Sequence, residues 1–220
     1  MDPFAQAFVD SRTAVLELIA TVPSEQFEQP SPLTPQWSVR DVVAHLCGVN
    51  EDVLAGNLPS GDVNEWANAQ VQRRRDVALD EIASTWASSG IENVITLHFG
   101  QMIFDQISHE FDIRYALQRP GDPHSAGVTL AARFAANTLE GARPVEVNYD
   151  SDVVRFEGTG EPITLNASAF EVLRALTGRR SWNQVAALTW SGDLQYVRAT
   201  VFGRGVFAPT SFDVFESVPT

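Results

Sequence analysis

The sequence predicts an α+β fold, with an N-terminal four-helix bundle followed by a small α+β domain. Three observations carry this. Apolar residues recur at helical spacing from Phe4 to about residue 140. At Val145 the period switches to two, the alternation of a half-buried strand. Clusters of proline and glycine punctuate both halves. The 220 residues are 44% hydrophobic and 20% charged, a globular composition, and suffice for one large domain or two small ones. The expected division is a bundle with its connecting helix over 1–142 and the smaller domain over 143–220.

The elements follow in order. Asp2-Pro3 supplies a cap and a first-turn proline for a helix with Phe4, Phe8, Val15, Leu18 and Ile19 on one face, ending at Val22-Pro23. Pro23, Pro30, Pro32 and Pro35 mark a loop. A second helix starts at Ser38, with Asp41 three residues on in the capping-box role; its stripe is Val39, Val42, Val43, Leu46 and Val53. Pro59-Ser60-Gly61 closes that region. A third, more polar helix is expected over about 64–88 and a fourth over about 91–118, the latter with Ile95, Phe99, Met102, Ile103, Ile107 and Phe111 inside. Pro120-Gly121-Asp122-Pro123 stops it, and a helix over about 127–141 connects onward. Val145–Tyr149 and Val154–Glu157 around Asp150-Ser151-Asp152 read as a hairpin, with Ile163–Leu165 as a third strand. A helix over about 167–177 ends at Gly178, and a short one covers about 182–188. The tail from 190 shows no clear period.

Composition narrows the function. The net charge of −13 disfavours nonspecific binding to nucleic acid or anionic membrane, each of which needs a basic surface. All 15 cationic residues are arginine, so lysine chemistry is excluded, and the bias fits a high-GC bacterial genome. The single Cys47 cannot form an internal disulfide, which fits a reducing cytoplasm. No basic segment with an apolar core opens the chain, so no secretory signal is expected. No apolar run nears the roughly 18 residues that cross a bilayer. There is no Walker-type loop, dinucleotide fingerprint or nucleophile elbow; Gly203-Arg204-Gly205 is too short to bind phosphate, and Arg73-Arg74-Arg75 reads as a solvated patch.

The fourth helix carries the chemistry. His98, Asp105, His109 and Asp112 fall within about 60° of one another at 100° per residue. Such a stripe on a surface helix is ordinarily a solvated face. Here apolar positions nearly surround it. Asp105 and His109, four residues apart, can also reach one metal ion, and imidazole and carboxylate are ordinary zinc ligands. His98 lies about 10 Å up the axis from Asp105, too far to share that ion easily. A third ligand must come from a facing helix. His45, mid-helix beside the apolar stripe of the second helix, is the leading candidate, against an equal chance of being a hydrogen-bonded core histidine. His124 falls in a turn, and Cys47 points elsewhere and reads as packing.

The run Trp37-Ser38-Val39-Arg40-Asp41-Val42-Val43-Ala44-His45-Leu46 resembles the entry to the metal-bearing helix of DinB-like bundles, and more narrowly the mycothiol-dependent maleylpyruvate isomerase family. Asp105–Arg114 with Ala116-Leu117 and Arg119-Pro120-Gly121 resembles that family's second metal segment. Phe170–Arg180 resembles its C-terminal domain. The likeness runs through nearly the whole chain in the right order, and mycothiol is the thiol of high-GC actinobacteria.

The resemblance implies a zinc or similar divalent ion held by His45, Asp105 and His109, with mycothiol as cofactor. The enzyme that names the family has glutamate where this chain has Asp105, so the ion would sit closer to the helix or take an intervening water. Asp112 and Arg114 match the pattern after the histidine and are expected as an ion pair behind the ligands. Arg179 and Arg180 are candidates for cofactor binding; as cations at a helix C-terminus they also have a purely structural reading. The implied chemistry is a metal-activated thiol attacking a small electrophile, as isomerase or S-transferase, in a monomer or homodimer. Two other readings stay open: a ligand-binding protein that has lost the ion, favoured by the shorter Asp105, and a metal-dependent hydrolase on the same bundle.

Overall fold

Asp2 begins the first helix as its sequence dictates: in the computed structural model its carboxylate accepts from the Phe4 N–H at 2.8 Å, with Pro3 in the first turn. The structure describes residues 1–96, 100–203 and 207–216. Among these it is an α+β protein with nine α-helices and a four-stranded sheet. Two compact units divide the chain, one of Met1–Phe99 with His109–Gly121, the other of Gly100–Ser108 with Asp122–Thr220.

The first unit holds α1 (Pro3–Thr21), α2 (Val39–Ala55), α3 (Val63–Arg73), α4 (Leu79–Ala87) and the second half of α5 (Gly100–Leu117). Ser38 and Asp41 form the reciprocal capping box: the Ser38 hydroxyl accepts from the Asp41 N–H, and the Asp41 carboxylate from the Ser38 N–H. Such a cap stabilises a helix by about 1 kcal/mol and fixes where it starts. That start sets which faces of α2 meet its neighbours. Every residue of α2 from Val42 to Asn50 is buried, so it is the central helix of this unit. Val42, Val43 and Leu46 share a core with Val15 and Leu18 of α1, Ile82 and Trp86 of α4, and Ile113 and Leu117 of α5. Burial of each such aliphatic side chain is worth about 1.5–3 kcal/mol.

Two helices differ from expectation. The helix expected over 64–88 is two, α3 and α4. No proline or glycine breaks it. Instead the Arg40 guanidinium on α2 donates to the carbonyls of Arg74 and Val77, partnering the acceptors that the break exposes. The helix expected over 91–118 is a 3₁₀ turn at Ile91–Asn93, followed by α5 from Gly100. Ile95 is buried without being helical, and Phe99 lies outside the described residues.

In the second unit the strands β1 (Val145–Tyr149), β2 (Asp152–Phe156), β3 (Ile163–Ala167) and β4 (Thr189–Ser191) lie in the order β2-β1-β3-β4. The predicted hairpin pairs Val147 with Val154, and Asp150 turns it at φ 50°. β3 runs parallel to β1, Val147 opposite Leu165, and antiparallel to β4. Val145, Val147, Tyr149, Ile163 and Leu165 alternate into the core as the period of two requires. The small residues Ala131, Ala132, Ala135 and Ala136 of α6 (Ala126–Ala136) are fully buried, and α6 packs against α7 (Ala169–Leu176). Gly178 follows α7 at φ 77°, as its position predicts. α8 (Trp182–Ala187) follows, and the unreadable tail contains α9 (Leu194–Val201), capped by Asp193.

Candidate metal centre

His45 is delivered from the middle of α2 and is buried. Asp105 and His109 stand one turn apart on α5, which is continuous; His109 is buried and Asp105 half-buried. Each of the three offers a ligand atom, and these atoms all lie within 4.8 Å of one another. No other group of three or more histidine, cysteine or carboxylate ligands comes together among the described residues. His109 and Asp112 do not lie on a solvated face: α5 is buried from Gln106 through Ile113, and Asp112 is 0% exposed.

The donor set suits a divalent metal. Two imidazoles with one carboxylate are a ligand set of catalytic zinc, which leaves a fourth position for water or substrate. The imidazoles are also held from behind. His45 Nδ1 lies 2.8 Å from Gln70 Oε1, and His109 Nδ1 lies 3.1 Å from Asp112 Oδ2. Contacts of this kind orient ligating histidines and keep one ring nitrogen in the ligand role. Trp37 walls one side, its ring centroid 4.9 Å from that of His45 and 6.1 Å from that of His109, while its indole N–H donates to Asn68 Oδ1 at 3.0 Å. The two imidazoles meet edge to face at 5.1 Å.

Behind Gln70 stands Asp52. Its carboxylate accepts from Gln70 Nε2 at 2.8 Å, from Asn57 Nδ2 at 3.0 Å, and from Arg73 Nη2 at 2.8 Å on both oxygens. Burial opposes its charge, but the hydrogen bonds of Arg73, Gln70 and Asn57, with the Arg73 charge, outweigh this and hold the carboxyl below its usual range. Arg73, one of the three arginines read as a solvated patch, is thus ion-paired, and Arg74 pairs with Glu51. Cys47 lies in the core, and burial pushes its thiol up, in keeping with packing.

The remaining sequence candidates separate. His98 lies outside the described residues. His124 is exposed. Asp112 and Arg114 do not pair with each other: Asp112 contacts His109, whereas Arg114 Nε donates to Glu110 Oε1 at 2.7 Å. Two residues apart on a helix, side chains diverge by about 200°; three or four apart, they meet. Arg180 is buried, bidentate on Glu171 and 2.7 Å from Glu216 Oε2. Burial opposes its charge, and the two carboxylates more than restore it. Arg179 Nη1 donates to the Thr177 carbonyl at 2.8 Å, the helix-terminal arrangement. Trp37 and Gln70 carry no site signal in sequence: one read as part of a helix entry, the other as one polar residue on a polar helix. Gly48, one turn after His45, is the nearest thing to a hint, because a small residue on a buried face invites a close neighbour.

Residues 8–93 match the family model described as the mycothiol maleylpyruvate isomerase N-terminal domain, a span that includes His45 and ends before α5. The fold is similar to the crystal structure of the mycothiol-dependent maleylpyruvate isomerase, with a TM-score of 0.53 at 12% identity over 85% of this chain and 91% of that one. A histidine-to-alanine mutant of that enzyme gives the same values. No curated protein matches the chain significantly. The resemblance to the mycothiol-dependent maleylpyruvate isomerase family read from the sequence is borne out by the family model and the shared fold.

Proposed function

We propose that this protein is a divalent-metal-dependent thiol enzyme, an isomerase or S-transferase that uses mycothiol, built on a DinB-like four-helix bundle. The observation that carries the reading is the convergence of His45, Asp105 and His109, each imidazole supported at Nδ1. A zinc ion held there would supply the Lewis acidity that turns a bound thiol into thiolate, for addition to an activated double bond or displacement of a leaving group. The chain's own residues do the rest. His45 and His109 present ring nitrogens, and Asp105 adds one negative charge. Gln70 and Asp112 keep the two rings from turning. Trp37 closes one flank with an apolar surface, which excludes water there and strengthens every charge interaction in the site.

Protein purified without chelator should carry about one zinc or similar ion per chain, and His109→Ala should lose it. Mycothiol should raise the melting temperature of the loaded wild type, since a ligand that binds the native state stabilises it. Full metal occupancy in a His45→Ala/His109→Ala double variant removes this site from consideration. The shorter carboxylate of Asp105 favours a second reading, a ligand-binding protein without the ion. Absence of metal together with stabilisation by mycothiol supports that reading. Bound metal without any effect of mycothiol points to the hydrolase.

A further inference from the structure

The contacts behind His45 fix more than its position. Asp52, paired through both oxygens with Arg73, is an ionised carboxylate and can only accept hydrogen bonds. The end of Gln70 that meets Asp52 Oδ2 at 2.8 Å is therefore its NH₂ group. That leaves the amide oxygen at the other end, 2.8 Å from His45 Nδ1, and an amide oxygen also only accepts. His45 Nδ1 must then carry the proton. A neutral imidazole protonated at Nδ1 keeps its lone pair on Nε2.

The Gln70 side chain cannot easily move away from these two partners, so Asp52 alone decides which way its amide faces. Gln70 is 0% exposed and packs over Gly48, where a Cβ would stand 2.5 Å from the Gln70 Cβ and 2.8 Å from its Cγ. Lacking that atom, Gly48 is what lets α3 approach α2 at the level of His45.

We infer that the Asp52–Arg73 ion pair acts through the Gln70 amide to hold His45 as the Nδ1–H tautomer, so that it binds a divalent cation through Nε2. Gln70 is a positioning residue, and Asp52 sets its direction. The cation-binding half rests on the metal reading given above; the tautomer does not, and is present without metal.

Nitrogen-15 NMR of the histidine rings in metal-free protein at about pH 8, above the usual histidine titration, reads the tautomer directly. His45, identified by the signal that His45→Ala removes, should be in the Nδ1–H form. Asp52→Asn, of nearly the same shape, frees the amide to turn and should shift His45 toward Nε2–H. Gln70→Leu removes the acceptor and should do the same. Both should weaken zinc binding about 10–100-fold in competition with a chromogenic chelator, the usual effect of losing such a partner. Wild-type His45 found as Nε2–H, or a tautomer unmoved in folded Asp52→Asn and Gln70→Leu protein, overturns the inference, even if zinc is bound. A wild type that shows the Nδ1–H form, loses it in the variants and binds no zinc upholds the tautomer and refutes the metal reading.

Discussion

Asp112 Oδ2 stands 3.1 Å from His109 Nδ1, one turn further along α5, and the Asp112 side chain is wholly buried. The two supporting contacts of the centre thus differ in kind: an amide faces His45, a carboxylate faces His109. A carboxylate raises the basicity of the ring it contacts and so tightens its hold on a metal. Asp112→Asn should lower zinc affinity about 10–100-fold, read by chelator competition, while far-UV circular dichroism stays that of the wild type. An unchanged affinity would make the contact structural only.

Residue 105 is an aspartate, one methylene shorter than the glutamate that the resemblance implies. Asp105→Glu restores the methylene and should keep or tighten zinc binding, whereas Asp105→Ala should weaken it at least as much as Asp112→Asn does. Isothermal titration of metal-free protein separates the three. An Asp105→Ala variant that binds like wild type would show that the carboxylate plays no part.

Gly48 should resist replacement although it lies within a helix. Alanine is favoured over glycine there by about 1 kcal/mol of helix propensity. The added Cβ would fall 2.5 Å from the Gln70 Cβ, which no real contact tolerates, so α3 must shift. Overpacking of this kind costs about 1–3 kcal/mol and outweighs the gain. Urea denaturation of Gly48→Ala should show a net loss of stability, and zinc affinity should fall with it as Gln70 is displaced from His45.

Much of this geometry was legible in the sequence, because it rests on short-range rules. The capping box of Ser38 and Asp41 fixes the start of α2, and a spacing of four residues puts Asp105 and His109 on one face. The alternation of Val145, Val147 and Tyr149 gives the hairpin. What stayed hidden is long-range. The break between α3 and α4 is satisfied by Arg40, more than thirty residues away, and has no local signal. β4 has only three residues, too short to show a period, and α9 lies in a tail crowded with aromatic and turn residues. Proximity in sequence points Arg114 to Asp112, whereas helical spacing gives it Glu110, four residues before it.

Acid should weaken the protein partly through Asp52. Its folded carboxyl titrates below the usual carboxylate range, so its contribution is fully present above the unfolded value of about 3.9 and fades as the pH falls through the lower folded value. Asp52→Asn should therefore be less stable than wild type at neutral pH, with the gap closing as the pH drops below about 4. Denaturant midpoints measured from pH 7 downward check this. A gap independent of pH would mean that Asp52 contributes by shape and not by charge.

The second unit holds its own test of buried charge. Glu216 joins Arg174 at 2.8 Å and Arg180 at 2.7 Å, and all three side chains are nearly inaccessible, at 5%, 0% and 5% exposure. Arg174 also donates to the Ser108 carbonyl at 3.0 Å, and Arg180 leans on Glu171. Breaking a buried ion pair by removing one partner costs about 3–5 kcal/mol. Glu216→Ala exposes two guanidiniums to that penalty, whereas Glu171→Ala affects one, at a more accessible carboxylate. Glu216→Ala should thus lower the thermal midpoint by more than Glu171→Ala. Zinc affinity in still-folded protein should not change, because neither glutamate contacts a ligand residue or its supporting side chain. Equal losses in the two variants would show that Arg174 is adequately held without Glu216.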